Sequence, residues 1–193
     1  KPGSSYTFTS DKTLYAIWKS CPHSEYTGGY CKACGQEYPI SVSSHKKTYV
    51  VTNSSGAKIW SRPYSTQSTH IRTESHKAVL SITGKTTNAE NNVWYQLSDG
   101  NWVYSGNVTQ RLTIKYDANG GSGAPGSQTV LSGSSLKISS GKPTRTNYSF
   151  QGWGTSSDDT SVNYKPGSSY TFTSAKTLYA IWKKCSRCVS AGI

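Results

Sequence analysis

The residues whose types and spacing best suit chemistry lie near the start of the chain, at Cys21, His23, Cys31 and Cys34. Cys21-x-His23 is followed after seven residues by Cys31-x-x-Cys34-Gly35. A Cys-x-x-Cys-Gly turn presents two thiolates to one ion, and its glycine lets backbone N–H groups face the sulfurs. With Cys21 and His23 the donor set is complete for a tetrahedral zinc site, leaving no position for a catalytic water. Structural zinc is the leading reading, because a metal would hold together a segment too short to own a core. The alternatives are a Cys31–Cys34 or Cys21–Cys34 disulfide in an oxidising compartment, or a redox-active pair, for which the surrounding βαβ pattern is missing. The other cysteines, Cys185 and Cys188, follow a similar stretch, with Arg187 standing where His23 does. They read as a degenerate second knuckle, a local disulfide or free thiols.

No nucleophile and base accompany this cluster. The sequence contains no Gly-x-Ser-x-Gly elbow, no His-Glu-x-x-His and no phosphate loop. His45, His70 and His76 fall around a polar segment, and Asp158-Asp159 offers too few oxygens for calcium and reads as a solvated loop. The chain is therefore expected to be non-enzymatic. What remains are aromatic surfaces. Strand alternation sends Trp94 and Tyr95 to opposite faces and puts Trp102 and Tyr104 together, with Val103 on the other side. One set must be core, and the other suits a shallow groove for sugar rings or a peptide stem. The exposed, ligand-binding set is expected to be Trp60, Tyr64, Trp102 and Tyr104; Phe150, Trp153 and Trp182 are expected to be core.

The elements that must position these residues are strands. Ser, Thr, Gly, Asn, Tyr and Trp abound over 193 residues, and methionine is absent. Branched and aromatic residues favour strands, while Gly, Asn and Ser favour turns. With hydrophobic content at 33%, each core must be small and aromatic-rich. Net charge is +12 with only 16% charged residues, because acids are scarce. Basic residues form no run of the kind a nucleic-acid arm carries, and no apolar run approaches the ~18–20 residues that span a bilayer. A diffuse positive surface suits an anionic polymer such as a bacterial wall or acidic glycan.

One stretch organises the chain. Lys1-Pro-Gly-Ser-Ser-Tyr-Thr-Phe-Thr-Ser-Asp-Lys-Thr-Leu-Tyr-Ala-Ile-Trp-Lys19 recurs at 165–183 with a single change, Asp11 to Ala175. The second copy closes a longer unit running from about Leu112. The first has no such lead-in, so the other half of its repeat is expected upstream. Its two alternating strands should dock on something or fray. Pairing with the repeat of another molecule would give a strand-exchanged dimer through residues 1–19.

Between the copies, residues 20–46 form the Cys/His knuckle, and residues 47–109 read as short strands at 47–53, 57–61, 78–86, 92–97 and 101–104. Ser98-Asp-Gly-Asn101 is a strong hairpin signal. Short strands at this spacing predict a small β-barrel, with 64–76 a polar loop. In residues 110–184, a strand opening Leu112-Thr-Ile is followed by a broken strand pair at 127–132 and 135–138, then 143–154 and the terminal pair. A Cys-x-x-Cys tail occupies 185–193.

Tyr49-Val-Val-Thr-Asn-Ser-Ser-Gly-Ala-Lys-Ile-Trp-Ser-Arg-Pro63 and Val93-Trp-Tyr-Gln-Leu-Ser-Asp-Gly-Asn-Trp-Val-Tyr104 resemble a bacterial SH3 (SH3b) domain, with Trp60 where that family usually has Arg and Asn101 where it has Gly. The resemblance implies an SH3-like barrel that engages the cell wall. Tyr116-Asp-Ala-Asn-Gly-Gly121, Pro143 with Phe150-x-Gly-Trp153, and Thr177-Leu-Tyr-Ala-Ile-Trp182 resemble the Listeria–Bacteroides repeat, which includes the internalin B-repeat. That resemblance implies a β-grasp-like fold and a secreted or cell-surface protein of a Gram-positive-type bacterium. The combined expectation is a mainly β chain: an SH3-like barrel and a β-grasp-like repeat, joined through the knuckle. It would be a non-catalytic module binding cell-wall or other glycan or peptide polymer. The alternatives are a structural stalk or adhesion scaffold contacting host or partner proteins, and the accessory part of a wall hydrolase whose catalytic domain lies elsewhere.

Overall fold

The computed structural model describes residues 5, 7–11, 13–17 and 19–185. Tyr6, Trp18 and Cys188, which entered the expectations above, lie outside them, as does the tail beyond Cys185. Fourteen strands follow in chain order: β1 (Tyr26–Thr27), β2 (Tyr30–Cys31), β3 (Ser43–Val51), β4 (Ala57–Trp60), β5 (His70–Glu74), β6 (Val79–Thr87), β7 (Val93–Leu97), β8 (Trp102–Tyr104), β9 (Val108–Asp117), β10 (Gln128–Leu131), β11 (Ser135–Lys137), β12 (Tyr148–Gly154), β13 (Ser169–Thr171) and β14 (Lys176–Lys184). A 3-10 turn at Ser105–Asn107 leads into β9. The mainly β expectation is met.

Alternation builds the first core. β6 buries Leu80 and Ile82 and exposes Val79 and Ser81, while β4 buries Ala57 and Ile59 between polar or half-buried neighbours. These pack with Tyr49, Val51, Leu97, Val103 and Val108. The sheet order is β3-β6-β7-β8-β4-β5, so β3 and β4 are several strands apart, yet both feed this one cluster. The sheet must therefore curl over its own inner face. It does not close: the expected barrel is an open sheet with β5 at its free end. Closure fails because β9 pairs β3 only at Val108, Thr109 and Gln110, then runs on to pair β10 and β14.

The same strand founds the second core. Val108 faces the first cluster, whereas Leu112 and Ile114, on the same side by the two-residue period, face a cluster with Val130, Ile138, Trp153, Phe172, Leu178 and Ala180. β14 lies between β9, which it pairs in parallel, and β12, which it pairs antiparallel. β11 and β13 form a separate ribbon. The expected pairing of 127–132 with 135–138 is thus corrected: β10 joins β9, and β11 joins β13. Trp153 is fully buried and Phe150 and Trp182 are partly buried around it, as expected of core. Because both cores hang on one unbroken strand, no linker separates the two halves.

Two further expectations change. The polar 64–76 segment contains β5, a ribbon partner of β4. It is held by Arg72, which pairs Glu74 and Asp99 at 2.7 Å each. The described residues of 1–19 contain no strand.

Candidate functional sites: a Cys/His knuckle and an aromatic groove

The knuckle is built from a hairpin too small for a core. β1 and β2 meet across Gly28-Gly29, both with positive φ (57° and 87°), which side chains rarely adopt. Tyr26 stacks edge-on against Tyr38, with ring centroids 4.9 Å apart. Cys31, at the end of β2, accepts the Gly35 N–H on its carbonyl at 2.8 Å, closing the Cys-x-x-Cys turn.

The ligand atoms of Cys21, His23, Cys31 and Cys34 all lie within 4.8 Å of one another. Cys21 Sγ is 3.4 Å from Cys31 Sγ, and Cys34 Sγ is 3.6 Å from His23 Nδ1. Zinc–sulfur bonds of about 2.3 Å in a tetrahedron put ligand atoms roughly 3.5–4 Å apart; the Cys21–Cys31 and Cys34–His23 pairs are near that spacing, and the remaining separations stay within 4.8 Å. Its electrostatics suit a cation. Burial pushes the Cys31 thiol up, but the N–H groups of Ala33 and Cys34 and the thiols of Cys21 and Cys34 outweigh it, bringing it down to about 6. At Cys21 the His23 N–H acts to lower the thiol, yet hydrogen bonding to Cys31 and burial leave it raised. Three thiols and an imidazole gathered this closely form a donor set of the kind a metal ion completes. These residues are brought together as the spacing predicts, and the cluster could bind a metal.

The groove, about 550 Å³, lies on the side of the curled sheet away from the first core. Lys58 and Trp60 from β4, Thr73 from β5, Trp94 from β7 and Tyr104 from β8 form its floor, and loop residues such as Asn53, Ser65, Asn92 and Asn107 form its walls. Among the described residues, Lys58 is the sole charged one that lines it. Gly56 admits the neighbouring strand: it has φ of 85°, and a Cβ there would stand 2.5 Å from the Glu74 carbonyl oxygen. Trp94 is buried, and its indole N–H lacks an acceptor among the described residues. Its ring leans on Tyr104, centroids 5.5 Å apart.

Of the aromatic residues expected to be exposed, Trp60 and Tyr104 line this groove, with Tyr104 38% exposed. Tyr64 and Trp102 do not line it. Trp102 is 6% exposed, registered between Trp60 on β4 and Gln96 on β7 in the middle of the sheet. Tyr64 is fully buried because its loop folds inward: Asn88 Nδ2 donates to the Pro63 carbonyl, and the Ala89 N–H donates to the Tyr64 hydroxyl. Both are corrected from surface to interior. Sequence reasoning missed Trp94, Lys58 and the asparagine walls. The Asn-rich turns were visible, but nothing local indicates that they converge.

Among known proteins, residues 112–181 match the Listeria-Bacteroides repeat domain, a repeat type typical of surface proteins and generally non-catalytic. The match spans β9 from Leu112 into β14, the whole second core. No curated protein and no solved structure matches the chain. Among the described residues, no helix is long and apolar enough to cross a membrane.

Proposed function

We propose that the chain is a non-catalytic module of an exported bacterial surface protein, and that its groove holds a cell-wall polymer or related glycan or peptide. The single observation that carries this reading is the groove itself: Trp60 and Tyr104 offer flat apolar area, and asparagine and serine side chains around them offer hydrogen bonds. That combination suits sugar rings and peptide stems. The net charge of +12 favours an anionic polymer as the surface approached. The resemblance of residues 47–109 to a bacterial SH3 domain points to the same class of ligand, and the repeat serves as a spacer. In this reading the knuckle holds a structural zinc ion, a closed site with no step of chemistry.

Co-sedimentation with purified Gram-positive peptidoglycan tests it. Binding should persist in high salt and fall about tenfold or more with Trp60→Ala or Tyr104→Ala. Binding abolished by salt and indifferent to both variants would reduce the interaction to nonspecific charge.

A second reading, a structural stalk contacting host or partner proteins, is favoured by β9. A strand shared by two cores couples them stiffly, as a spacer requires. Absence of wall binding by an intact, folded chain would move the assignment there.

A further inference from the structure

We propose that metal binding at the knuckle sets the wall of the groove, with Arg62 and Glu90 as the positioning residues that connect them. This rests on the readings of the knuckle as a metal site and of the groove as a ligand site, and it adds a dependence of one on the other.

The two sites are joined by a short chain of contacts. Cys31, a metal-ligand candidate, is adjacent to Tyr30, and the Gly28-Gly29 turn precedes them. This turn is pressed against the 62–67 loop: a Cβ on Gly29 would stand 2.6 Å from the Tyr64 ring, and one on Gly28 would stand 2.9 Å from the Thr66 carbonyl oxygen. Arg62 reaches from that loop into the knuckle. Its guanidinium lies 4.5 Å from the centre of the Tyr30 ring, pairs with Glu37 at 2.5 Å and donates to the Gly28 carbonyl at 3.4 Å. Cation–π and ion-pair contacts made by one planar guanidinium fix its plane as well as its position.

A second contact runs in parallel. The Gly28 N–H donates to Glu90 Oε1 at 3.0 Å, which ties the same turn to the 88–92 loop. Both loops present residues to the groove on their other side: Ser65 from the first and Asn92 from the second. They are also tied to each other through buried Asn88, which donates to Pro63 and accepts from the Glu90 and Asn92 N–H groups. The knuckle thus props two loops whose far faces form one wall.

A hairpin of two-residue strands has no hydrophobic means of holding that shape alone. Four protein ligands on one ion supply it, and binding free energy at such a site is folding free energy for the segment. Without the ion, the turn that carries the Gly28, Gly29 and Tyr30 contacts loses its template. Ser65 and Asn92 then lose their support, while the floor residues Lys58, Trp60 and Tyr104, fixed in strands, stay in place. Metal occupancy acts on the wall and leaves the floor.

The test uses the full chain under reducing conditions, loaded with zinc(II) or stripped by chelation, with metal content measured directly. Hydrogen exchange is followed by mass spectrometry. On stripping, exchange should rise about tenfold or more in residues 62–67 and 88–92, and stay unchanged in the β7–β8 hairpin and in residues 112–181. Arg62→Ala, and the milder Glu37→Gln, should keep the zinc yet show faster loop exchange even when loaded. Peptidoglycan co-sedimentation should weaken several-fold on stripping. Unchanged loop exchange between loaded and stripped protein overturns the coupling even if wall binding is seen. Failure to take up one zinc per chain overturns it at its premise. Absence of wall binding alongside metal-dependent loops removes only the groove's assigned ligand, and leaves the coupling standing.

Discussion

Residues 1–19 and 165–183 have the same sequence but for one position, and they differ in almost everything structural. Phe172 is 1% exposed and Phe8 52%; Leu178 is 0% exposed and Leu14 77%; Ile181 is 4% exposed and Ile17 97%. In the second copy, β13 pairs β11 and β14 fills the slot between β9 and β12. In the first, the described residues have no strand neighbours at all. The amphipathic pattern is equally good in both, so pattern alone does not make these strands. The opening half of a repeat does, by supplying a sheet edge on each side, a core for Phe172 and Leu178, and cover for Ile181 on the other face beside Gly154, each worth about 1.5–3 kcal/mol when buried.

The comparison also bears on strand exchange between molecules. Residues 1–193 hold one opening half and two closing copies. If two chains trade copies, two closing segments remain unpaired, as before. Exchange alone therefore gains no burial, and an additional opening half is the partner that residues 1–19 fit.

The largest expected effect comes from supplying that partner. Fusing a copy of residues 110–164 ahead of Lys1 should slow hydrogen exchange at residues 14–17 by roughly a thousandfold or more, the difference between an open segment and a core strand. Exchange that stays fast would show that the first copy is incompetent, and would break the comparison. Next in size is a matched pair of truncations. Leu178→Ala should destabilise the repeat by about 2–5 kcal/mol, whereas Leu14→Ala should stay within about 0.5 kcal/mol, read by denaturant unfolding followed at the repeat's tryptophans. Equal costs would mean that Leu14 is packed in solution. The smallest effect sharpens the point: Ala175→Asp, which makes the sequences identical at the exposed 175 position, should change stability by less than about 0.5 kcal/mol. A larger loss would implicate that substitution in the different fates of the copies.

Legibility follows the same logic of local against distant causes. The knuckle was legible because its ligands lie within a few turns of chain and the Cys-x-x-Cys-Gly geometry is local. The β7–β8 hairpin was legible because Gly100, with φ of 84°, and the Leu97–Asn101 pairing at 2.8 Å are set by five consecutive residues. Trp102 and Tyr64 were misplaced because alternation names a face without saying what covers it. For Tyr64 the cover is a loop anchored by Asn88, 24 positions away. β5 was missed because His-Ile-Arg-Thr-Glu carries no buried apolar residue; Ile71 is 45% exposed. Ion pairs to Glu74 and Asp99 organise it, and these are invisible to a hydrophobic pattern. The open edge of the first sheet was hidden for a third reason: its natural closing strand, β9, is shared with a neighbouring unit.

The most direct test of the account is to locate the binding surface by two-dimensional NMR, titrating the zinc-loaded chain with soluble muropeptide fragments of Gram-positive peptidoglycan. Chemical-shift changes are expected to gather on Lys58, Trp60, Asn92 and Tyr104 and to leave residues 112–181 untouched. Changes confined to the repeat, or none at saturating fragment, would contradict the groove as the site where this module meets its polymer.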